Sequence, residues 1–251
     1  QEVDGYNEEG TGIGQRDVSA DITAVSRASI ADILRAQGYS SMFFLSQQEY
    51  INKMIDTLGF DRVLGRDYLY DRHVRGNTHG ARPKYLSDVQ LFDSMLSELE
   101  AQPADKPFFA AAYNFQTHAF LDGSNTYGKG DNIVLNRFHT YDHDIGHFID
   151  RFMASRLHEN TLLVITADHS TFPGPNAVAA DPRVQGYFVD KIPLLIYWKG
   201  VEHHTIDAGG KNSLDLAPSL LSLLNVKSAH NLFLGCTLFE QCALDRVSNI
   251  G

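Results

Sequence analysis

Two patterns of apolar residues alternate along the chain. Four short runs are apolar at successive positions: SMFFLS (41–46), FFAAAYNF (108–115), NTLLVITAD (160–168) and KIPLLIYWKG (191–200). A strand with one solvated face alternates apolar and polar residues, so unbroken runs of this length predict strands covered on both faces. Between these runs, apolar residues recur every three or four positions, the spacing of one helix face. SIADILRAQGYS (29–40) groups Ile30, Ile33 and Leu34, with Ser29 as N-cap and Gly38 as the stop after the C-cap. QQEYINKMIDTLGF (47–60) predicts a second helix, ending at Gly59. KYLSDVQLFDSMLSELEAQ (84–102) predicts a third, with Leu86, Val89, Leu91, Phe92, Met95, Leu96 and Leu99 apolar. The stretch 133–159 predicts a long helix with Phe138, Tyr141, Ile145, Phe148, Ile149 and Phe152 on one side. SLDLAPSLLSLLNV (213–226) predicts the last, carrying Asp215 and Pro218 in its first turn.

Strands of this kind alternating with amphipathic helices predict a mostly parallel sheet with helices on both faces. No internal repeat interrupts the order, so residues 1–251 read as a single α/β domain with an irregular N-terminal segment, 1–28. The stretch 61–83 is polar and rich in Arg and His, and reads as a long irregular loop. Loops of that length inside a domain are commonly functional.

Charge and cysteines narrow the class. Lys plus Arg number 21 against 31 Asp plus Glu, a formal charge of −10. A nucleic-acid binder carries a basic surface, so nucleic acid is not the expected partner. A small anionic ligand remains compatible, because a metal ion or helix N-terminus supplies local positive charge. No apolar run reaches the roughly 18–20 residues that a membrane-spanning helix needs. The polar N-terminus lacks both a signal-peptide pattern and an initiator Met, as expected for a piece of something longer. Cys236 and Cys242 are the two cysteines. A local disulfide and two free buried thiols are both compatible with their spacing.

Open α/β sheets bind ligands at the carboxyl ends of their strands. Two strands finish in residues suited to that. His118 follows the run 108–115 in NFQTHAF, where it could grip an anionic oxygen or give a proton to a leaving group. An ordinary loop histidine with one hydrogen bond is the alternative. Asp168 and His169 end the run 160–168 in VITADHSTFPGP. Carboxylate and neutral imidazole are both good donors to divalent ions. Neighbouring strand residues point to opposite faces, so both can face one ion only if the chain turns at 168–169. The Ser-Thr-Phe-Pro-Gly-Pro sequence that follows favours such a turn. Asp168 capping a turn beside a solvated His169 is the alternative. His143 and His147 stand four apart on the long helix without the glutamate of a zinc-protease pattern, and read as a solvated face.

The order of these pieces resembles the C-terminal two-thirds of the sulfatase/alkaline-phosphatase superfamily. Within it the chain looks most like the lipoteichoic acid synthase and phosphoglycerol transferase branch. The matching pieces are SIADILRAQGYSSMFF, NFQTHAF, YDHDIGHFIDRF, NTLLVITADHSTFPG, KIPLLIYWKG, NSLDLAPSLLSLLNV and FLGCTLFE, together roughly residues 28–240. The resemblance implies a three-layer α/β/α sandwich, alkaline-phosphatase-like, around a mostly parallel sheet. It implies one divalent metal ion (Mn, Mg or Zn) with Asp168 and His169 among its ligands. It also implies that His118 contacts the substrate phosphoryl group, with Arg82 and His79 in the segment 66–82 as further substrate-binding candidates. The substrate would be a phospholipid head group or another anionic ester. The location would be the periplasmic or extracellular face of a bacterial membrane, with anchoring through segments outside this chain.

One departure qualifies the resemblance. The family carries a metal-binding acid and a nucleophile, usually Thr, before the helix that matches residues 29–37. Thr11 and Thr23 are the threonines ahead of that helix, and neither stands in a matching context. The nucleophile is therefore expected upstream of residue 1. In a complete member, the threonine takes up the phosphoglycerol group and an acceptor removes it, with His118 stabilising charge or protonating the leaving group. The alternative is a non-catalytic ligand-binding or sensor domain with a degenerate metal site.

Overall fold

Ser29 starts the first described helix because its hydroxyl accepts from the backbone of Asp32 while the Asp32 carboxylate accepts from the backbone of Ser29. The helix, α1, spans Ile30–Ala36 and buries Ala31, Ile33 and Leu34. It stops where Gly38 takes φ +87°. There Gly38 N–H reaches the Arg35 carbonyl and Tyr39 N–H the Leu34 carbonyl, a turn that only glycine enters freely. Strand β1, Ser40–Leu45, follows directly. The computed structural model describes residues 28–47, 55, 58–77, 82–118, 125–171, 173–184, 190–227, 233 and 235–240. Most of the helix expected over 47–60 and almost all of the segment 1–28 lie outside these residues.

The chain divides into two compact units, Gln1–Ser155 and Arg156–Gly251. In the first, β1 is the centre of a parallel sheet of order β2-β1-β3, with β2 at Arg62–Leu64. Next come a short helix α2 (Arg66–Leu69), a wide helical turn over Tyr70–Val74, and a tight one at Arg75–Asn77. The stretch 61–83 is thus largely folded, where an irregular loop was expected. Helix α3 (Asp88–Glu100) has a second reciprocal cap, between Ser87 and Gln90. Its buried face includes Leu91, Phe92, Met95, Leu96 and Leu99. Strand β3, Phe108–Tyr113, runs in register with β1 from Ser40 opposite Phe108 to Leu45 opposite Tyr113. Phe60 links these strands, lying edge-on to Phe43 and stacked on Phe109.

Helix α4 spans Ile133–Ala154 and packs on α3 through Phe92, Phe148 and Phe152. Its buried stripe shares Phe148 and Phe152 with the expected one and departs from it elsewhere. Phe138 and Ile149 are exposed, while Val134, Arg137, Thr140, Asp144, Phe148 and Phe152 are buried. Polar residues occupy the inner face because Arg137 meets carboxylates there.

The second unit holds β4 (Leu163–Thr166), a short helix α5 (Pro175–Ala180), β5 (Leu194–Tyr197) and helix α6 (Leu216–Leu223). β4 and β5 pair antiparallel, Leu163 opposite Tyr197 and Thr166 opposite Leu194, whereas the pairings among the described residues of the first unit are parallel. The fold is α/β.

Candidate functional site

Because β1 and β3 are parallel and in register, the residues after them emerge at the same edge of the sheet. Ser46 and Gln47 follow β1 and Asn114–His118 follow β3; Ser46, Gln47 and Gln116 are buried there. His118 N–H closes a turn on the Phe115 carbonyl at 2.9 Å. Its ring stacks on Phe115 with centroids 4.7 Å apart and planes at 17°. Tyr85 meets the other partner of that stack, Phe115, edge-on at 5.8 Å.

A buried ionic group stands behind this turn. Asp88, the first residue of α3, donates its N–H to Gln116 Oε1 at 2.6 Å. Its carboxylate accepts Gln116 N–H at 3.3 Å and Asn114 Nδ2 at 3.1 Å. Arg137 of α4 lies 3.7 Å from Asp88 Oδ2 and 3.5 Å from Asp144 Oδ2. Burial pushes the Asp88 carboxyl above its usual range, opposed by the hydrogen bond from Asn114 and the charge of Arg137. Nearby Tyr141 is pushed up to about 12, by burial first and then by the Asp88 charge. Sequence reasoning missed this group. Asp88 resembles any first-turn helix acid, and only the spacing of Arg137, Thr140 and Asp144 in line with Val134 and Phe148 carried a signal.

The Arg/His-rich stretch has its charges committed within the same unit. Glu98 of α3, 5% exposed, accepts from Arg62, Tyr68 and Arg72 at 3.2, 3.1 and 3.0 Å and meets His73 Nε2 at 2.9 Å. Burial works to raise the Glu98 carboxyl, but the contacts from His73, Tyr68 and Arg62 prevail and hold it below its usual range. Arg82 pairs with Asp67 at 3.1 Å and Asp71 at 2.6 Å, and its guanidinium lies 5.5 Å from the Tyr70 ring centroid. The hydrogen bond to Asp71 is the main reason that the Arg82 side chain holds its proton more tightly than usual. His79 lies outside the described residues.

In the second unit β4 ends at Thr166 and the chain bends at Asp168 and His169. Asp168 Oδ1 accepts the His169 N–H at 2.9 Å, so the capping role is present. That leaves Oδ2 facing the imidazole, 3.7 Å from Nε2. The other ring nitrogen, Nδ1, lies 2.7 Å from the Ser170 carbonyl. A carbonyl accepts only, so Nδ1 donates here, and Nε2 is the ring nitrogen on the carboxylate side. Metal-binding histidines are oriented in this way. Two donors each about 2.1 Å from one divalent ion stand roughly 3–4 Å apart, and the pair fits that spacing. Among the described residues, no group of three or more His, Cys, Asp or Glu side chains could hold a metal ion.

The same unit is closed by Asp215, fully buried, which accepts Asn212 N–H at 3.0 Å and Cys236 N–H at 2.8 Å. Ser219 accepts Leu238 N–H at 2.7 Å, and Lys211 Nζ donates to the Thr237 and Glu240 carbonyls. Cys236 is disulfide-bonded. Cys242, the other cysteine, lies outside the described residues.

Residues 5–226 match the sulfatase family. The chain is 26% identical over 229 residues to a lipoteichoic acid synthase-like protein, YvgJ, of Bacillus subtilis, covering 80% of this chain and 35% of that protein. It is 25% identical over 213 residues to phosphoglycerol transferase I of Xanthomonas campestris, covering 78% of this chain and 28% of that protein. The chain thus spans about a third of the length of these curated relatives. Among solved structures, the lipoteichoic acid synthase LtaP from Listeria monocytogenes superposes with a TM-score of 0.68 at 19% identity, over 91% of this chain and 59% of LtaP. A protein of the alkaline phosphatase superfamily from Vibrio parahaemolyticus gives 0.68 at 22% identity, over 93% of this chain and 56% of its own. With a family match running through both units and an alkaline-phosphatase-like α/β fold, the chain belongs to the sulfatase family.

Proposed function

We propose that residues 1–251 belong to one sulfatase-like domain of a metal-dependent enzyme. It transfers phosphoglycerol- or phosphoethanolamine-type groups, or hydrolyses phosphodiester or sulfate esters, on the extracytoplasmic side of a bacterial membrane. The observation that carries this reading is the pair Asp168 Oδ2 and His169 Nε2, 3.7 Å apart, with the imidazole oriented by the Ser170 carbonyl. A divalent ion held by the two would neutralise phosphoryl or sulfuryl oxygens and lower the pKa of a nucleophile. The names of the curated relatives support phosphoglycerol-type chemistry.

The chain's own residues bind and orient the ester. His118 hydrogen-bonds a phosphoryl oxygen or the leaving oxygen from its turn at the sheet edge. Arg82 joins it only by exchanging Asp67 and Asp71 for the substrate anion, and His79 completes the candidate set. In transfer, a nucleophile oxygen bonds to phosphorus as the P–O bond to the lipid alcohol breaks, and that alcohol leaves with a proton. An acceptor hydroxyl then displaces the enzyme oxygen. The nucleophile comes from outside the described residues, either before residue 1 or within 1–27. Among the described residues no helix is long and apolar enough to cross a membrane. Anchoring is assigned to segments beyond this chain.

The test is turnover with Mn²⁺, Mg²⁺ or Zn²⁺ by a protein that carries the sequence upstream of residue 1 together with this chain, using phosphatidylglycerol vesicles, a chromogenic phosphodiester and a chromogenic sulfate ester. Diacylglycerol release that falls about 10²–10³-fold in His118→Ala supports transfer. Metal binding with no turnover of any substrate replaces this reading by a non-catalytic binding domain.

A further inference from the structure

The turn that carries His118 is tied to helix α3 by a closed pair of hydrogen bonds. Asp88 N–H goes to Gln116 Oε1 at 2.6 Å, and Gln116 N–H returns to Asp88 Oδ1 at 3.3 Å. Asn114, at the start of the turn, holds the other carboxylate oxygen at 3.1 Å. Asp88 and Arg137 are fully buried and Gln116 nearly so. The carboxylate is therefore shielded from bulk solvent, and Arg137, itself between Asp88 and Asp144, fixes its charge in place. Between Asn114 and Gln116 the chain presents Phe115, 2% exposed, and the His118 imidazole lies on its face. Moving Gln116 moves Phe115, and moving Phe115 moves the imidazole.

We propose that Asp88, Gln116 and Arg137 are positioning residues for His118. Through the Asn114–His118 turn and the Phe115 stack, they hold its imidazole at the orientation in which it meets an anionic oxygen. The proposal rests on the reading of His118 as a substrate contact, and it goes beyond that reading by assigning the residues that set the ring's direction. None of the three touches substrate. Their effect reaches the anion only through the imidazole.

The orientation is measurable without substrate. In the full chain with ¹³C-labelled histidine, the His118 ring resonance is assigned by its loss in His118→Ala. Its ring-current displacement, imposed by Phe115, is abolished in Phe115→Leu, which calibrates the signal. Gln116→Ala is expected to abolish most of that displacement while the other histidine resonances stay in place. A His118 resonance at its original position in a folded Gln116→Ala protein overturns the proposal. Should Gln116→Ala not fold, Asn114→Ala, which removes one bond to Asp88, is read by the same criterion.

Inorganic phosphate then separates the two claims. The account expects phosphate to shift the His118 resonance, with roughly tenfold more needed in Gln116→Ala, the effect of one ordinary hydrogen bond misplaced. Phosphate that leaves the resonance unmoved in the unsubstituted chain removes the substrate reading. The coupling of Gln116 to His118, read without phosphate, then stands on the first measurement.

Discussion

The guanidinium of Arg137 lies 3.7 Å from Oδ2 of Asp88, and both side chains are completely removed from solvent. An ion pair of this kind contributes modest net stability when intact, because desolvation offsets attraction, but it is costly to break from one side. Arg137→Ala leaves Asp88 and Asp144 facing each other in the interior. It is expected to lower stability by about 3–5 kcal/mol, read as a lower urea midpoint. The deficit has a defined pH dependence. Burial already holds the Asp88 carboxyl above its usual range, and loss of Arg137 raises it further. A group with a raised folded pKa costs stability as pH rises through the window above its unfolded value. The gap between variant and parent should therefore narrow as pH falls from 7 towards 4.

Glu98 behaves with the opposite sign. Its folded pKa lies below the ordinary 4.5, so its contribution is fully present above that value and is lost as pH falls through the folded pKa. Glu98→Gln should cost about 2–3 kcal/mol near neutrality, less than a wholly buried pair because Arg62 and Arg72 are 40% and 59% exposed. Denaturation of both proteins at several pH values should show the cost fading below about pH 4.

Gly235 marks a close approach of two backbones. A Cβ there would run into the Leu214 carbonyl oxygen, which belongs to backbone and cannot swing aside. Gly235→Ala must displace the segment carrying Cys236, whose N–H is held by Asp215 at 2.8 Å. The expected loss is about 3 kcal/mol or more, seen as a lower thermal midpoint. An unchanged midpoint would mean that the contact opens freely.

Cys236 and Cys242 are proposed as partners, since Cys236 is disulfide-bonded and the sequence has two cysteines. Intact mass before and after reduction should differ by two hydrogens. Two free thiols in protein kept under oxidising conditions would contradict the pairing.

What the sequence disclosed depended on how local the cause was. Ser29 and Gly38 bound α1 as expected, because capping is set by side chains within a few positions. The apolar runs lie on β1, β3, β4 and β5 for the same reason. The inner face of α4 was not legible. Phe138 and Ile149 look like core residues, yet Arg137, Thr140 and Asp144 are buried in their place because Asp88, 49 positions before Arg137, supplies a counter-charge. Nor was the folding of Arg62–Val74, gathered on Glu98 from a helix that follows it in sequence. The bend at Asp168 and His169 was foreseen from the turn-forming residues after it. The hydrogen on Nδ1 was not, since the Ser170 carbonyl that fixes it is set by geometry.

Calorimetric titration of the metal-free chain with Mn²⁺, Zn²⁺ and Mg²⁺, repeated for Asp168→Ala and His169→Ala, tests the central claim most directly. The account predicts stoichiometric binding of at least one of these ions to the unsubstituted protein, weakened at least about 100-fold by either substitution. An unsubstituted chain that binds none of them, or variants that bind as well as the parent, would contradict it.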